Sequence, residues 1–170
     1  MRNFSYLRIL NICDKMKRIL TILALALTIA VEANAQSIRL GDRIPDLQAD
    51  RELAITSKEY VCLSFVHTES TPCLYAIESL CQIVGNYTDL FEIVFVTNQN
   101  EDCTEDITCL ANNVDITIFN DRESHTFKAF GIKYVPYSVI YSTKRNRVEW
   151  FGSVQQLNTV TIERIINKQK

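Results

Sequence analysis

Tyr60-Val-Cys-Leu-Ser-Phe-Val-His67, followed at once by Thr68-Glu-Ser70-Thr-Pro-Cys73 and then by Leu74 to Val84, is the stretch around which the chain is organised. The first segment is a short apolar run rich in β-branched and aromatic residues, which predicts a buried strand. In the last segment Cys73, Ile77, Leu80 and Val84 recur at helical spacing on one narrow stripe. Between them Ser70 suits an N-cap, and Pro72 suits a first turn, where its missing N–H costs nothing. A buried strand therefore delivers the chain to a helix N-terminus with a cysteine in the first turn. Uncommitted N–H groups and the positive end of the helix dipole are concentrated there, and a thiolate so placed is stabilised. This is redox-site geometry with one part missing: Ser70 stands where a second cysteine would complete Cys-x-x-Cys.

The rest of the chain sets the limits. At 170 residues it suffices for one well-buried domain and not for two ordinary ones. A hydrophobic fraction of 47% beside 22% charged residues is that of a globular protein. The net charge of −2 with no basic run argues against nucleic acid as a partner.

The N-terminal part reads as a leader. Met16-Lys17-Arg18 is a short basic start, Ile19 to Val31 is an unbroken apolar or small run, and Ala33-Asn34-Ala35 before Gln36 has the small-x-small form of a signal-peptidase site. The run is short of the ~20 apolar residues that span a bilayer, so a retained anchor is the weaker alternative. Residues 1–15 make a poor start to a signal, which points to Met16 as the true initiator. A lipoprotein would need a cysteine just after the apolar run, and Cys13 lies before it. The expected division is a signal peptide, residues 1–35, cleaved after Ala35, and one domain, residues 36–170, exported to a periplasm or secreted, with no membrane contact after cleavage. Losing Arg2, Arg8, Lys15, Lys17 and Arg18 with Asp14 and Glu32 takes the net charge from −2 to about −5. Five cysteines remain, Cys62, Cys73, Cys81, Cys103 and Cys109. Export permits disulfides, but an odd count leaves at least one thiol over.

In chain order, Gly41 to Asp46 is a turn-rich opening, followed by a polar stretch to Glu59. After the strand and helix above comes a Gly85-Asn86 C-cap pair. Phe91 to Thr97 is a second buried strand. Asp102 and Glu105 suggest a capping box opening a short helix through Leu110. Val114 to Phe119 alternates as a strand does, and a helix over His125 to Phe130 ends at Gly131. Tyr137 to Tyr141 and Arg147 to Phe151 form a hairpin, and Thr159 to Lys168 a closing amphipathic helix. This order predicts an α/β fold in three layers, a central mixed sheet with helices on both faces.

Four features in this order, Gly41-Asp-x-x-Pro45-Asp, the strand Val61 to His67, the x-x-Pro-Cys73 helix start, and Val135-Pro136 before a strand, resemble the thioredoxin superfamily. The opening motif is similar to that of the exported TlpA-like, AhpC-TSA-like branch of thiol–disulfide oxidoreductases, and the likeness covers roughly residues 38–169. The resemblance implies a thioredoxin-like fold, protein thiols or disulfides of a client polypeptide as partners, and no cofactor. It also implies a cis Pro136 beside the active-site cysteines, its backbone helping to align the partner chain's disulfide. The site residues it transfers are Cys73, Ser70 and Pro136.

This chain departs from that pattern where the chemistry sits. Ser70 replaces the attacking cysteine, Glu69 the neighbouring tryptophan, and Ala76 the acidic residue usual within the helix. A hydroxyl with no adjacent base does not ionise near neutral pH, so Ser70 cannot attack a disulfide. Glu69 would oppose a thiolate by like charge. Three readings of Cys73 follow. It is a packed core thiol in a domain that has lost its chemistry and binds extended polypeptide; it is a monothiol that forms or isomerises mixed disulfides; or Ser70-x-x-Cys73 imitates the Thr-x-x-Cys of peroxiredoxins. Against the last, Val66 stands in place of that family's proline, and no arginine adjoins Pro136.

Cys103 and Cys109 could be bridged if Cys103 is still in a loop. In a continuous helix their six-residue rise of ~9 Å exceeds the Cα separation a disulfide tolerates. Cys62 and Cys81 read as core thiols on a strand and helix that pack together. With only His67 and His125 in the chain and no second cysteine beside Cys73, no metal site is expected.

Overall fold

Strand β1, Tyr60–Phe65, is buried at all six positions, the mark of a strand covered on both faces. The computed structural model describes residues 38–45, 57–99 and 103–168, which belong to a single unit, residues 37–170. The expected leader, Asp46 with most of the polar stretch behind it, and Asp102 lie outside the described residues.

From β1 the chain runs through helix α1, Thr71–Val84, to β2, Phe91–Thr97. Helix α2, Thr104–Ala111, leads to β3, Thr117–Asn120. A short helix α3, His125–Ala129, precedes the hairpin of β4, Tyr137–Ser142, and β5, Arg147–Gly152. Helix α4, Thr159–Asn167, follows. The sheet order is β3-β2-β1-β4-β5. β1 pairs parallel with β2, which pairs parallel with β3. β4 is antiparallel to both β1 and β5. This is the expected mixed sheet.

Strand alternation divides the core in two. Tyr60 and Cys62 of β1 face a cluster with Ile77 and Leu80 of α1, Ile107 of α2, and Ile162 and Ile165 of α4. Val61, Leu63 and Phe65 face the opposite cluster, with Phe127 and Phe130 at α3. Helices therefore cover both faces, α1, α2 and α4 on one and α3 on the other. Each fully buried Leu or Ile contributes about 1.5–3 kcal/mol. One polar pair lies inside this apolar sheet: the Ser64 and Ser138 hydroxyls, on adjacent β1 and β4, are 2.9 Å apart and wholly buried.

Four local outcomes refine the sequence reading. Gly85 is the C-cap of α1, as expected, with right-handed backbone, φ −57°, and it opens a 3₁₀ turn, Gly85–Tyr87. Close packing favours glycine there, since a Cβ would lie 3.2 Å from Val114 Cγ2. The N-cap of α2 is Cys103, with no side-chain cap bond. The third strand starts late because Val114 N–H bonds back to Ala111 O at 3.1 Å, after left-handed Asn112 and Asn113. Val114 and Ile116 still pack against the helix-side core, so the alternation was read correctly and only the ladder is shorter.

The fourth is the Cys103–Cys109 bridge. Both thiols are free, Cys103 buried and Cys109 exposed. The helix begins directly after Cys103 and runs unbroken past Cys109. The axial rise of ~9 Å over six residues holds them apart.

Candidate functional site

The carboxyl ends of β1 and β2 open onto one edge of the sheet, the place where α/β folds seat ligands. Ser70 is the N-cap of α1, with extended backbone, φ −102° and ψ 111°. Its carbonyl accepts from Cys73 N at 2.8 Å and Leu74 N at 3.1 Å, and its own N–H donates to His67 O at 3.2 Å. Its hydroxyl makes no cap bond. Thr71 and Pro72 are exposed. Cys73, one position on, is 0% exposed and packs in the helix-side cluster with Val66 and Ile77.

Pro136 reaches the same edge from the other side. The Val135–Pro136 peptide is cis, and Tyr137, which follows it, pairs with Phe65. One residue beyond that pair on each strand come Pro136 and Val66, and Val135 packs against both core clusters. The structure thus brings Ser70, Cys73 and Pro136 to one edge, with the sulfur inside and the hydroxyl half-buried.

Two polar arrays at this edge escaped sequence reading. His67 Nε2 is hydrogen-bonded to Asn98 Oδ1, and Asn98 Nδ2 donates to Ser124 Oγ at 2.7 Å. This chain ties the end of β1 to the start of α3, with the His67 ring 6.1 Å from that of Phe127. Beside it, Gln99 Oε1 accepts from Thr68 N at 2.7 Å and Thr97 Oγ1 at 3.2 Å. Asp121 then anchors α3: its buried carboxylate accepts from His125 N at 2.9 Å and Phe127 N at 3.0 Å. The one sequence signal for these residues is position, since polar side chains just after buried parallel strands fall on the ligand edge.

The remaining thiols lie in different surroundings. Burial, with Cys81 beside it, pushes the Cys62 thiol up. Burial pushes Cys81 up to about 11. Among the described residues, no group of three or more His, Cys, Asp or Glu is placed to hold a metal ion, and no helix is long and apolar enough to cross a membrane.

No protein-family model matches the chain, and no curated protein sequence does. Solved structures do. A thioredoxin-like protein in its oxidized form matches with TM-score 0.60 at 19% identity, over 77% of this chain and 99% of that one. A candidate thiol:disulfide interchange protein, DsbE, from Chlorobium tepidum gives 0.59 at 20%, over 78% and 98%. A peroxidoxin from Mycobacterium tuberculosis gives 0.59 at 13%, over 76% and 95%. At such identities the likeness is one of fold, and the fold of this chain is thioredoxin-like.

Proposed function

We propose that this chain is an exported thioredoxin-fold domain that holds extended polypeptide of thiol- or disulfide-bearing proteins at the Ser70–Pro136 edge, without dithiol turnover. One observation carries this reading. The sulfur left at the helix start, Cys73, is 0% exposed, and the outward position that an attacking thiol needs is held by the Ser70 hydroxyl. Disulfide exchange requires a thiolate that can reach the substrate sulfur. Tyr75, in the second turn region of α1, and Tyr134, two residues before Pro136, are each 66% exposed; exposed aromatics beside an open edge suit peptide contact.

The test is thiol labelling of the folded chain with a maleimide. Cys109 should label at once and Cys73 only on unfolding. Cys73 labelling as fast as Cys109 would overturn the reading. It would favour the monothiol alternative, which rests on the Cys73 sulfur lying in the first turn of a helix whose N-cap hydroxyl leaves the end donors uncapped.

A further inference from the structure

The loop that leads into Pro136 encloses a recess of about 160 Å³ lined by Ile38, Phe130, Gly131, Ile132, Tyr134 and Tyr137, with Lys133 at its rim. The wall is built, not incidental. Phe130 is buried, Gly131 turns the chain at φ +63°, and Ile132 N bonds back to Phe127 O at 2.8 Å. Tyr134 and Tyr137 meet edge-to-face with ring centroids 5.5 Å apart, and Tyr137 stacks on Phe151 at 6.4 Å. Lys133 makes no ion pair or hydrogen bond among the described residues.

We infer that this recess is a side-chain subsite for a polypeptide lying across Pro136, taking one apolar side chain while Lys133 pairs an acidic residue next to it in the client. The inference rests on the polypeptide-binding reading above and adds the sequence preference. Each part has a physical basis. Residues 130–134 and 137, which line the recess, flank Pro136 in sequence, so a polypeptide lying along that loop would reach it. The volume is on the order of one aliphatic side chain, and most of the lining is apolar or aromatic, so an apolar side chain gains more there than a charged one. The cation at the rim remains in water and selects an acidic neighbour through a screened pair, which steers more than it binds.

Fluorescein-labelled hexapeptides and the full chain provide the test, read by anisotropy. A peptide with leucine followed by aspartate should bind about tenfold or more tighter than one with glycine in place of the leucine. Replacing the aspartate by lysine should weaken binding by a few-fold, an effect that vanishes at 1 M salt. Tyr134→Ala should abolish the leucine preference, and Lys133→Glu should reverse the aspartate–lysine preference; both residues are exposed, so folding is spared. Binding of all peptides alike, indifferent to both variants, would overturn the subsite and leave the Pro136 reading standing. Failure of every peptide to bind would overturn both together.

Discussion

One hydroxyl and one thiol, those of Ser70 and Cys73, stand at the start of α1. Ser70 and Cys73 share the first turn of α1, joined by the Cys73 N to Ser70 O bond of 2.8 Å. Ser70→Cys should therefore rebuild an oxidisable Cys-Thr-Pro-Cys pair and gain insulin-type disulfide reductase activity over wild type, with Glu69 limiting the gain by opposing the thiolate. Cys73→Ser in that background should abolish turnover yet trap mixed disulfides, since the resolving thiol is gone. A folded Ser70→Cys variant that forms no 70–73 disulfide under mild oxidant would refute the positional match. A second residue-level expectation concerns alkali. Burial pushes the Cys81 thiol of the folded chain up to about 11, above the ordinary thiol range. The unfolded chain thus loses its proton first, and the stability this group contributes is intact below about 9 and fades as pH rises through 11. Cys81→Ala should flatten the fall of urea midpoints over that window.

At the scale of elements, the α1–β2 connection depends on a missing methyl group. Gly85 continues α1 into its 3₁₀ turn with the Val114 Cγ2 atom 3.2 Å from where a Cβ would be. In an open helix end Gly→Ala gains about 0.5–1 kcal/mol. Here Gly85→Ala should lose about 1 kcal/mol, because Val114 must yield. In a Val114→Ala background the sign should turn favourable, and a double-mutant cycle by urea denaturation measures the coupling. Helix α3, only five residues long, depends in turn on Asp121, whose carboxylate caps it from outside the helix proper.

Across the whole molecule, what the sequence made legible follows from how locally it was encoded. β2 was readable residue for residue, because a strand covered on both faces is a plain apolar run bounded by polar residues. The Ser70–Cys73 turn was readable because caps and first-turn prolines act within four residues. The Cys103–Cys109 pairing stayed open in the sequence because spacing alone does not say where a helix begins. The His67–Asn98–Ser124 chain was invisible because its members lie in three separate loops and meet only once the parallel strands align. The Lys133–Tyr134 recess escaped for a related reason: Ile38 closes it from the far end of the domain. Export remains a statement about the leader. Expressed in a secreting host, the chain should yield a mature N-terminus at Gln36, and N-terminal sequencing that begins at Met1 or Met16 would refute the leader reading.

The buried hydroxyl pair between β1 and β4 has a consequence for strand alignment. Along these strands Tyr60 faces Ser142, Cys62 faces Ile140, and Ser64 faces Ser138. A slide of two residues would keep every side chain on its proper face, so hydrophobic patterning barely opposes it. It would, however, separate Ser64 from Ser138 and leave two buried hydroxyls unpartnered, at about 1–3 kcal/mol each. It would also carry Pro136 about 7 Å along β1, away from the turn that holds Ser70 and Cys73. Ser64→Val alone should therefore cost more stability than Ser64→Val with Ser138→Val, since the double variant leaves no orphaned hydroxyl. The double variant should be the one that shows a second set of amide resonances for β4, as the slid alignment becomes accessible. Two serines buried from solvent thus help to fix where the proline stands against the cysteine turn.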